Sequence, residues 1–223
     1  MKVPSGVGFL DVLLDGGYDN DVITTIYGPP SAAKTNFCLL AMTAVKDKKI
    51  LYVDTEGSFS LARFKQVCPD YEEVLERTIF LTPTTYLEQK DAFEFMRKAV
   101  DEKFGLIIID SIASLYRLEL AMSNDIPNVN RELGLHMAML TEIARKRKIP
   151  VILTNQIYLD FDDKLRTKTI GGDTVKYWSR TMLEIQKIKG DLRKVIITKH
   201  RSIKEGNFST FRIVQSGLEE VEG

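Results

Sequence analysis

Short apolar runs alternate with helix-like stripes from Val22 to Thr154, and no other feature restricts the fold as strongly. Val22–Tyr27, Ile50–Val53, Ile79–Leu81, Leu106–Ile109 and Val151–Thr154 read as strands. After Lys34, residues Phe37, Leu40, Ala41, Ala44 and Val45 share one helical face. Tyr86–Glu102 reads as a second helix, and Leu133, Met137, Leu140, Ile143 and Ala144 mark a third. Leu106–Ile109 is apolar at every position, as expected of a strand covered on both faces. Strand–helix–strand repetition implies right-handed crossovers between parallel strands. The expected fold class is therefore α/β, a mostly parallel sheet flanked by helices.

The pattern changes after Thr154. Residues Leu159–Lys176 are polar and without period, which predicts a loop. Thr181–Gln186, Val195–Thr198 and Phe208–Val214 then read as strands. They are separated by the turn signals Lys189-Gly190-Asp191 and Lys204-Glu205-Gly206-Asn207, so a C-terminal antiparallel extension of the sheet is expected. No stretch has linker composition, and 223 residues suit one core, so residues 1–223 are expected to form a single domain.

Composition excludes several classes. With 44% apolar and 28% charged residues, the chain is neither disordered nor fibrous. Cys38, Cys68, His136 and His200 are too few for a zinc cluster or a disulfide network, and free thiols suit a reducing compartment; the expected location is cytoplasmic. His136, on the apolar stripe ending at Ala144, reads as a packed histidine rather than a catalyst. No apolar run approaches the roughly 18 residues that span a bilayer, and Met1–Gly6 has no signal-peptide apolar region, so no membrane association is expected. The 31 basic and 31 acidic residues cancel, which rules out a uniformly basic nucleic-acid coat. The balance is uneven, however. From Lys164 to Arg212 there are 13 basic and 4 acidic residues, leaving 18 basic and 27 acidic elsewhere.

The first strand runs into Gly28-Pro29-Pro30-Ser31-Ala32-Ala33-Lys34-Thr35-Asn36, between a strand and a helix. This is the spacing and context of a phosphate-binding loop. Backbone amides at a helix N-terminus would cradle phosphates, Lys34 would neutralise them, and the Thr35 hydroxyl would ligate Mg²⁺. The expected cofactors are ATP and Mg²⁺. Ala33 stands where the pattern has glycine. If that position takes φ > 0, alanine costs about 1 kcal/mol relative to glycine and weakens placement of the γ-phosphate.

Three further strand ends carry polar chemistry. Val53-Asp54-Thr55-Glu56-Gly57 places Glu56 to polarise an attacking water. Leu106–Ile109 ends in Asp110-Ser111, where Asp110 would hold the water shell of Mg²⁺. Leu153-Thr154-Asn155-Gln156 puts the Gln156 amide where it can meet the γ-phosphate. The expected catalytic residues are thus Glu56, Lys34 and Gln156, and the metal ligands Thr35 and Asp110.

In the basic third, Lys164, Arg166, Lys168 and Lys176 lie near Tyr158, Phe161, Tyr177 and Trp178. Basic side chains interleaved with aromatics suit a single-stranded phosphate track with base stacking. Lys199 and Arg201, in Lys199-His200-Arg201, are expected on the same face, while Trp178, just before a strand, is expected to pack in the core.

The order phosphate loop, Asp-Thr-Glu-Gly, Ile-Ile-Ile-Asp-Ser, Thr-Asn-Gln resembles the RecA-type recombinases, in particular their archaeal and eukaryotic branch. Pro4–Gly17 resembles that family's lead into the ATPase core, Asp54–Phe59 with Arg63 its catalytic-glutamate segment, and Gly171-Gly172-Asp173 its second DNA-binding loop. The sequence opens directly at the core, and Lys199–Arg201, Glu205-Gly206 and Phe211–Ile213 are similar to archaeal paralogues of the strand-exchange recombinase RadA. The resemblance implies a RecA-like core without a helical N-terminal domain. It implies a DNA repair and recombination accessory protein that binds ATP and DNA, single-stranded or branched, hydrolyses ATP at most weakly and performs no strand exchange. RadA and the Holliday-junction resolvase Hjc are the partners it implies, and a homodimer is compatible with it. Two other readings stay open on the residues alone: a RecA-fold signalling ATPase that binds protein, and an interaction module that has lost nucleotide turnover, which Ala33 favours.

Overall fold

Near the N-terminus, β1 (Lys2–Val3) and β2 (Tyr18–Asp19) pair antiparallel, with α1 (Gly8–Leu13) between them. The strand–helix alternation follows in β3 (Ile23–Gly28), α2 (Lys34–Ala44), β4 (Lys49–Asp54), α3 (Leu61–Val67), α4 (Tyr71–Glu76), β5 (Thr78–Leu81), α5 (Tyr86–Ala99), β6 (Phe104–Asp110), α6 (Ser114–Met122), α7 (Ile126–Arg147) and β7 (Val151–Leu159). β8 (Thr167–Thr169), α8 (Gly172–Trp178), β9 (Thr181–Lys187), β10 (Arg193–Lys199), β11 (Phe208–Val214) and β12 (Gly217–Glu220) complete the chain. The computed structural model describes residues 2–159 and 167–221.

Strands β9, β3, β7, β6, β4 and β5 lie side by side in that order, every pair parallel. β10 and β11 extend the sheet antiparallel beyond β9, as the turn signals predict, and β12, not expected from the sequence, adds one more antiparallel strand. Register fixes the site. Gly28 of β3 stands opposite Gln156 of β7, and Asp54 of β4 opposite Asp110 of β6. Four motif residues far apart in sequence thus share one end of the sheet, where the parallel strands finish, the usual ligand crevice of such sheets.

Both faces are covered. Phe37, Met42, Tyr52, Phe64, Ile108 and Phe211 pack in the layer beneath α1–α4. Leu51, Val53, Phe93, Ile107, Ile109 and Leu140 pack beneath α5–α8. Alternate residues of β6 therefore point into opposite layers, which explains why every residue of that run is apolar. Phe211 ties the antiparallel extension to the first layer, stacking on Phe9 at 5.5 Å and meeting Phe37 edge-on at 5.4 Å.

Some boundaries differ from the sequence expectation. The helix predicted to reach Glu102 ends at Ala99, because buried Val100 turns extended and Asp101 Oδ1 accepts the Lys103 amide at 2.9 Å in a local turn. β7 runs past Thr154 to Leu159, since polar Asn155 and Gln156 still find ladder partners on β3. The segment expected to be a loop from Leu159 to Lys176 contains β8 and most of α8. Gly171, at φ 74°, starts that helix, so a glycine pair that signals a loop in sequence is here a helix entrance.

Candidate functional site

The loop after β3 begins at a glycine for a steric reason. A Cβ on Gly28 would stand 2.4 Å from the Ile185 carbonyl oxygen of β9. Ser31 and Ala33 then both take left-handed backbone, with φ of 58° and 88°. Ala33 directly precedes α2. An L-residue in this region costs roughly 1–2 kcal/mol, so this loop holds strain that glycine would relieve. The first amides of α2 have no acceptor within the helix, which makes this terminus a receptor for anions.

Lys34, the first residue of α2, is buried, and its ammonium donates to the carbonyls of Gly28 at 3.1 Å and Pro29 at 2.9 Å. Burial lowers its pKa below that of an ordinary lysine, opposed by the negative charges of Glu56 and Asp110. A cleft of about 430 Å³ opens over the loop, lined by Ser31, Lys34, Thr35, Glu56, Asp110 and Gln156 among others.

Asp110 is the hub of the acidic side. Its Oδ2 accepts from Thr35 Oγ1 at 2.7 Å, Ser58 Oγ at 2.9 Å and Tyr52 OH at 3.1 Å, and its Oδ1 accepts from Thr154 Oγ1. Burial, reinforced by the charge of Asp110, holds the Tyr52 phenol well above its ordinary pKa, so it remains a donor. Asp54 organises the adjacent loop: Oδ1 accepts the amides of Glu56 and Ser58, and Oδ2 that of Phe59. Glu56 is thereby aimed across the cleft. Its Oε1 accepts from Ser111 Oγ at 2.6 Å and from Gln156 Nε2 at 3.0 Å. The three expected catalytic residues and both expected metal ligands thus share one cleft. Asn36 lines it too, but its Oδ1 is engaged by Arg63 Nε at 2.8 Å.

Chemically, the oxygens of Thr35, Ser58 and Asp110 form a hard-donor cluster suited to Mg²⁺ and its waters. Lys34 and the helix terminus suit phosphate, and Glu56 faces the same space. These residues fit ATP·Mg²⁺. Ser58, Thr154, Ser111 and Arg193 are not singled out by sequence. Arg193 lines the cleft from β10, with Nη2 3.5 Å from the Ser31 carbonyl. The strand order β10–β9–β3 brings it there; the turn at Lys189-Gly190-Asp191 signals the β9–β10 pairing, but no local sequence signal encodes the pairing of β9 with β3.

The basic residues expected to bind DNA fall in two places. Lys164 and Arg166 lie outside the described residues. Lys168 belongs to β8, whose backbone pairs with the C-terminal part of β7, at the end of the sheet that holds the cleft. Lys199 lies at the other end, where its Nζ donates to the Lys176 carbonyl at 2.6 Å. Arg201 is beside it but is paired with Asp19 at 2.9 Å and Asp21 at 3.4 Å, so much of its charge is answered within the chain. The single face expected from sequence is therefore divided, because β7 and β10 carry these segments to opposite ends of the sheet. Trp178 is half-buried against the second core layer. His136 is buried as expected, stacked on Phe93 at 4.2 Å.

A doubly covered parallel sheet with an antiparallel extension, and motif residues gathered at its strand ends, defines a RecA-like α/β protein. A protein-family model described as Rad51 matches residues 1–221. The chain belongs to the Rad51 family. Among curated proteins it is similar to the DNA repair and recombination protein RadB of Methanococcus maripaludis strain C7, 41% identical over 94% of this chain and 97% of that one. The protein of the same name from Thermococcus kodakarensis is 37% identical over 98% and 99%. A solved structure described as the RadB recombinase superposes with a TM-score of 0.85 at 36% identity, covering 99% of this chain and 100% of the other. The relatives place the chain among RadB-type DNA repair and recombination proteins. Among the described residues, no helix is long and apolar enough to cross a membrane.

Proposed function

We propose that this chain binds ATP·Mg²⁺ in the cleft over Gly28–Asn36, binds DNA through its basic C-terminal third, and serves recombination as an accessory protein with slow ATP hydrolysis and no strand exchange of its own. The observation that carries the nucleotide part is the Thr35–Asp110 hydroxyl–carboxylate pair at 2.7 Å, one helical residue from the buried Lys34 ammonium. Lys34, the α2 amides and Arg193 would hold phosphate; Thr35, Ser58 and Asp110 would hold the metal shell. Magnesium supplies charge neutralisation at the transferred phosphoryl group. Glu56 orients water, kept in place by Ser111 and Gln156. Left-handed Ala33 favours slow turnover, since strained backbone and a methyl group stand where a phosphate loop ordinarily has glycine. RadA-type recombinase, the Hjc resolvase and a second copy of the chain are the proposed protein partners, on the strength of the family likeness.

Calorimetric titration of ATP with Mg²⁺ and with EDTA tests the site. Tighter binding with magnesium is expected. Identical affinity in both would contradict the role given to Thr35 and Asp110.

A further inference from the structure

α7 ends in Arg145-Lys146-Arg147, and Lys148 caps it before the chain enters β7. All four side chains are exposed. Lys146 is paired with Glu142; Arg145, Arg147 and Lys148 have no ion pair among the described residues. Beside this turn lies the end of α8, where Trp178 is the only tryptophan of the chain. Arg145, Lys146, Lys148 and Trp178 line one cavity of about 530 Å³, with Glu142 its one acidic lining residue.

The indole packs against the second core layer and also borders the cavity. Tyr177 meets it edge-on at 5.5 Å and is 68% exposed. Lys176 and Arg180 flank Trp178 in sequence, and the Lys199 ammonium donates to the Lys176 carbonyl at 2.6 Å. Burial, together with the like charges of Arg180 and Lys176 and opposed by Glu205, holds the Lys199 pKa below that of an ordinary lysine. The Arg180 amide bonds the Ile23 carbonyl at the start of β3, so this surface lies at the opposite end of the sheet from Gly28. The six residues of β3 separate the two by roughly 20 Å.

An aromatic ring bordering a pocket, with cations nearby that make no ion pair among the described residues, is an arrangement that suits an unstacked base and its flanking phosphates. A duplex offers no free base to such a pocket, and an acidic peptide has no need of the indole. We propose that this surface is a second contact for single-stranded DNA, remote from the nucleotide cleft: a base stacks on Trp178, and the strand runs from Arg145 and Lys148 to Lys176 and Arg180. The proposal rests on the DNA-binding reading above and adds a site to it.

The lone tryptophan makes the test direct. Oligothymidylate is titrated into the full chain while its emission and the anisotropy of a labelled oligonucleotide are followed together. Quenching of Trp178 in step with the anisotropy is expected. The double variant Arg145→Gln with Lys148→Gln should weaken binding and lower the salt slope by about 0.7 for each lost contact. Anisotropy that reports binding without a change in emission or slope would overturn this site and leave the DNA-binding reading intact. An absence of any anisotropy change would overturn both. Equal quenching by polyglutamate would overturn it in favour of an acidic protein partner.

Discussion

Replacing Ala33 with glycine separates the strain of the loop from the bulk of its methyl group. At φ 88° alanine occupies left-handed backbone at a cost of roughly 1–2 kcal/mol that glycine does not bear. Against this, Ala33 is 6% exposed within the layer that holds Phe37, and deleting a buried methyl forfeits about 0.8 kcal/mol. Glycine also frees the unfolded chain by roughly 0.5–1 kcal/mol. These effects cancel to within about 1 kcal/mol, so the melting temperature should move by no more than about 4 °C for a chain of this size. The nucleotide should respond more than the fold. Ala33 lines the cleft, and relief of about 1 to 2 kcal/mol of crowding on a bound phosphate would tighten binding about five- to thirtyfold. Thermal melting with calorimetric ATP titration and a phosphate-release assay measures all three quantities. Faster turnover and tighter binding at nearly constant stability are expected. A fall of more than about 8 °C would refute the strain argument, and unchanged affinity and turnover would refute the crowding argument.

Glu56→Gln keeps an acceptor for Ser111 and Gln156 but deletes the charge that polarises water, so hydrolysis should fall by about 10²–10⁴ with ATP affinity preserved; unchanged hydrolysis would assign the water to another group. Burial, with Lys90 adding, lowers the His136 pKa from 6.5 to about 4. Between those values the unfolded chain takes up a proton that the folded chain refuses, so stability should decline as pH falls through this window, by about 3 kcal/mol at its acid end. Urea midpoints at pH 7 and pH 4.5 should converge in His136→Phe, which keeps the stack on Phe93; an equal decline in that variant would place the titration elsewhere.

The strand–helix alternation was legible because each buried strand had to be apolar on both faces, and each motif residue sat where such a strand ends. Glu56, Asp110 and Gln156 could be named for that reason, and Lys34 and Thr35 from the spacing of the loop that joins β3 to α2. Ser58 and Thr154 could not, since their contacts to Asp110 depend on how β4, β6 and β7 stand in register. Arg193 was hidden for the same reason, since β3 and β9 stand between β7 and its own strand β10. Charge counting along the chain found the basic third but not its division, because Lys168 and Lys199 are carried to opposite ends of the sheet. It also overlooked Arg145 and Lys148, which precede the basic segment in sequence and meet its tryptophan only in space.

Nucleotide binding at the loop after β3 is the central claim, and Lys34 tests it most directly. The buried ammonium is the principal cation facing the cleft, and hydrogen bonds to a charged group contribute about 1.5–3 kcal/mol each. Calorimetric titration of ATP·Mg²⁺ into the wild-type chain and into Lys34→Ala, with both shown by circular dichroism to be folded, should give binding in the first and a loss of at least about tenfold in the second. Equal affinity in the two would contradict the account.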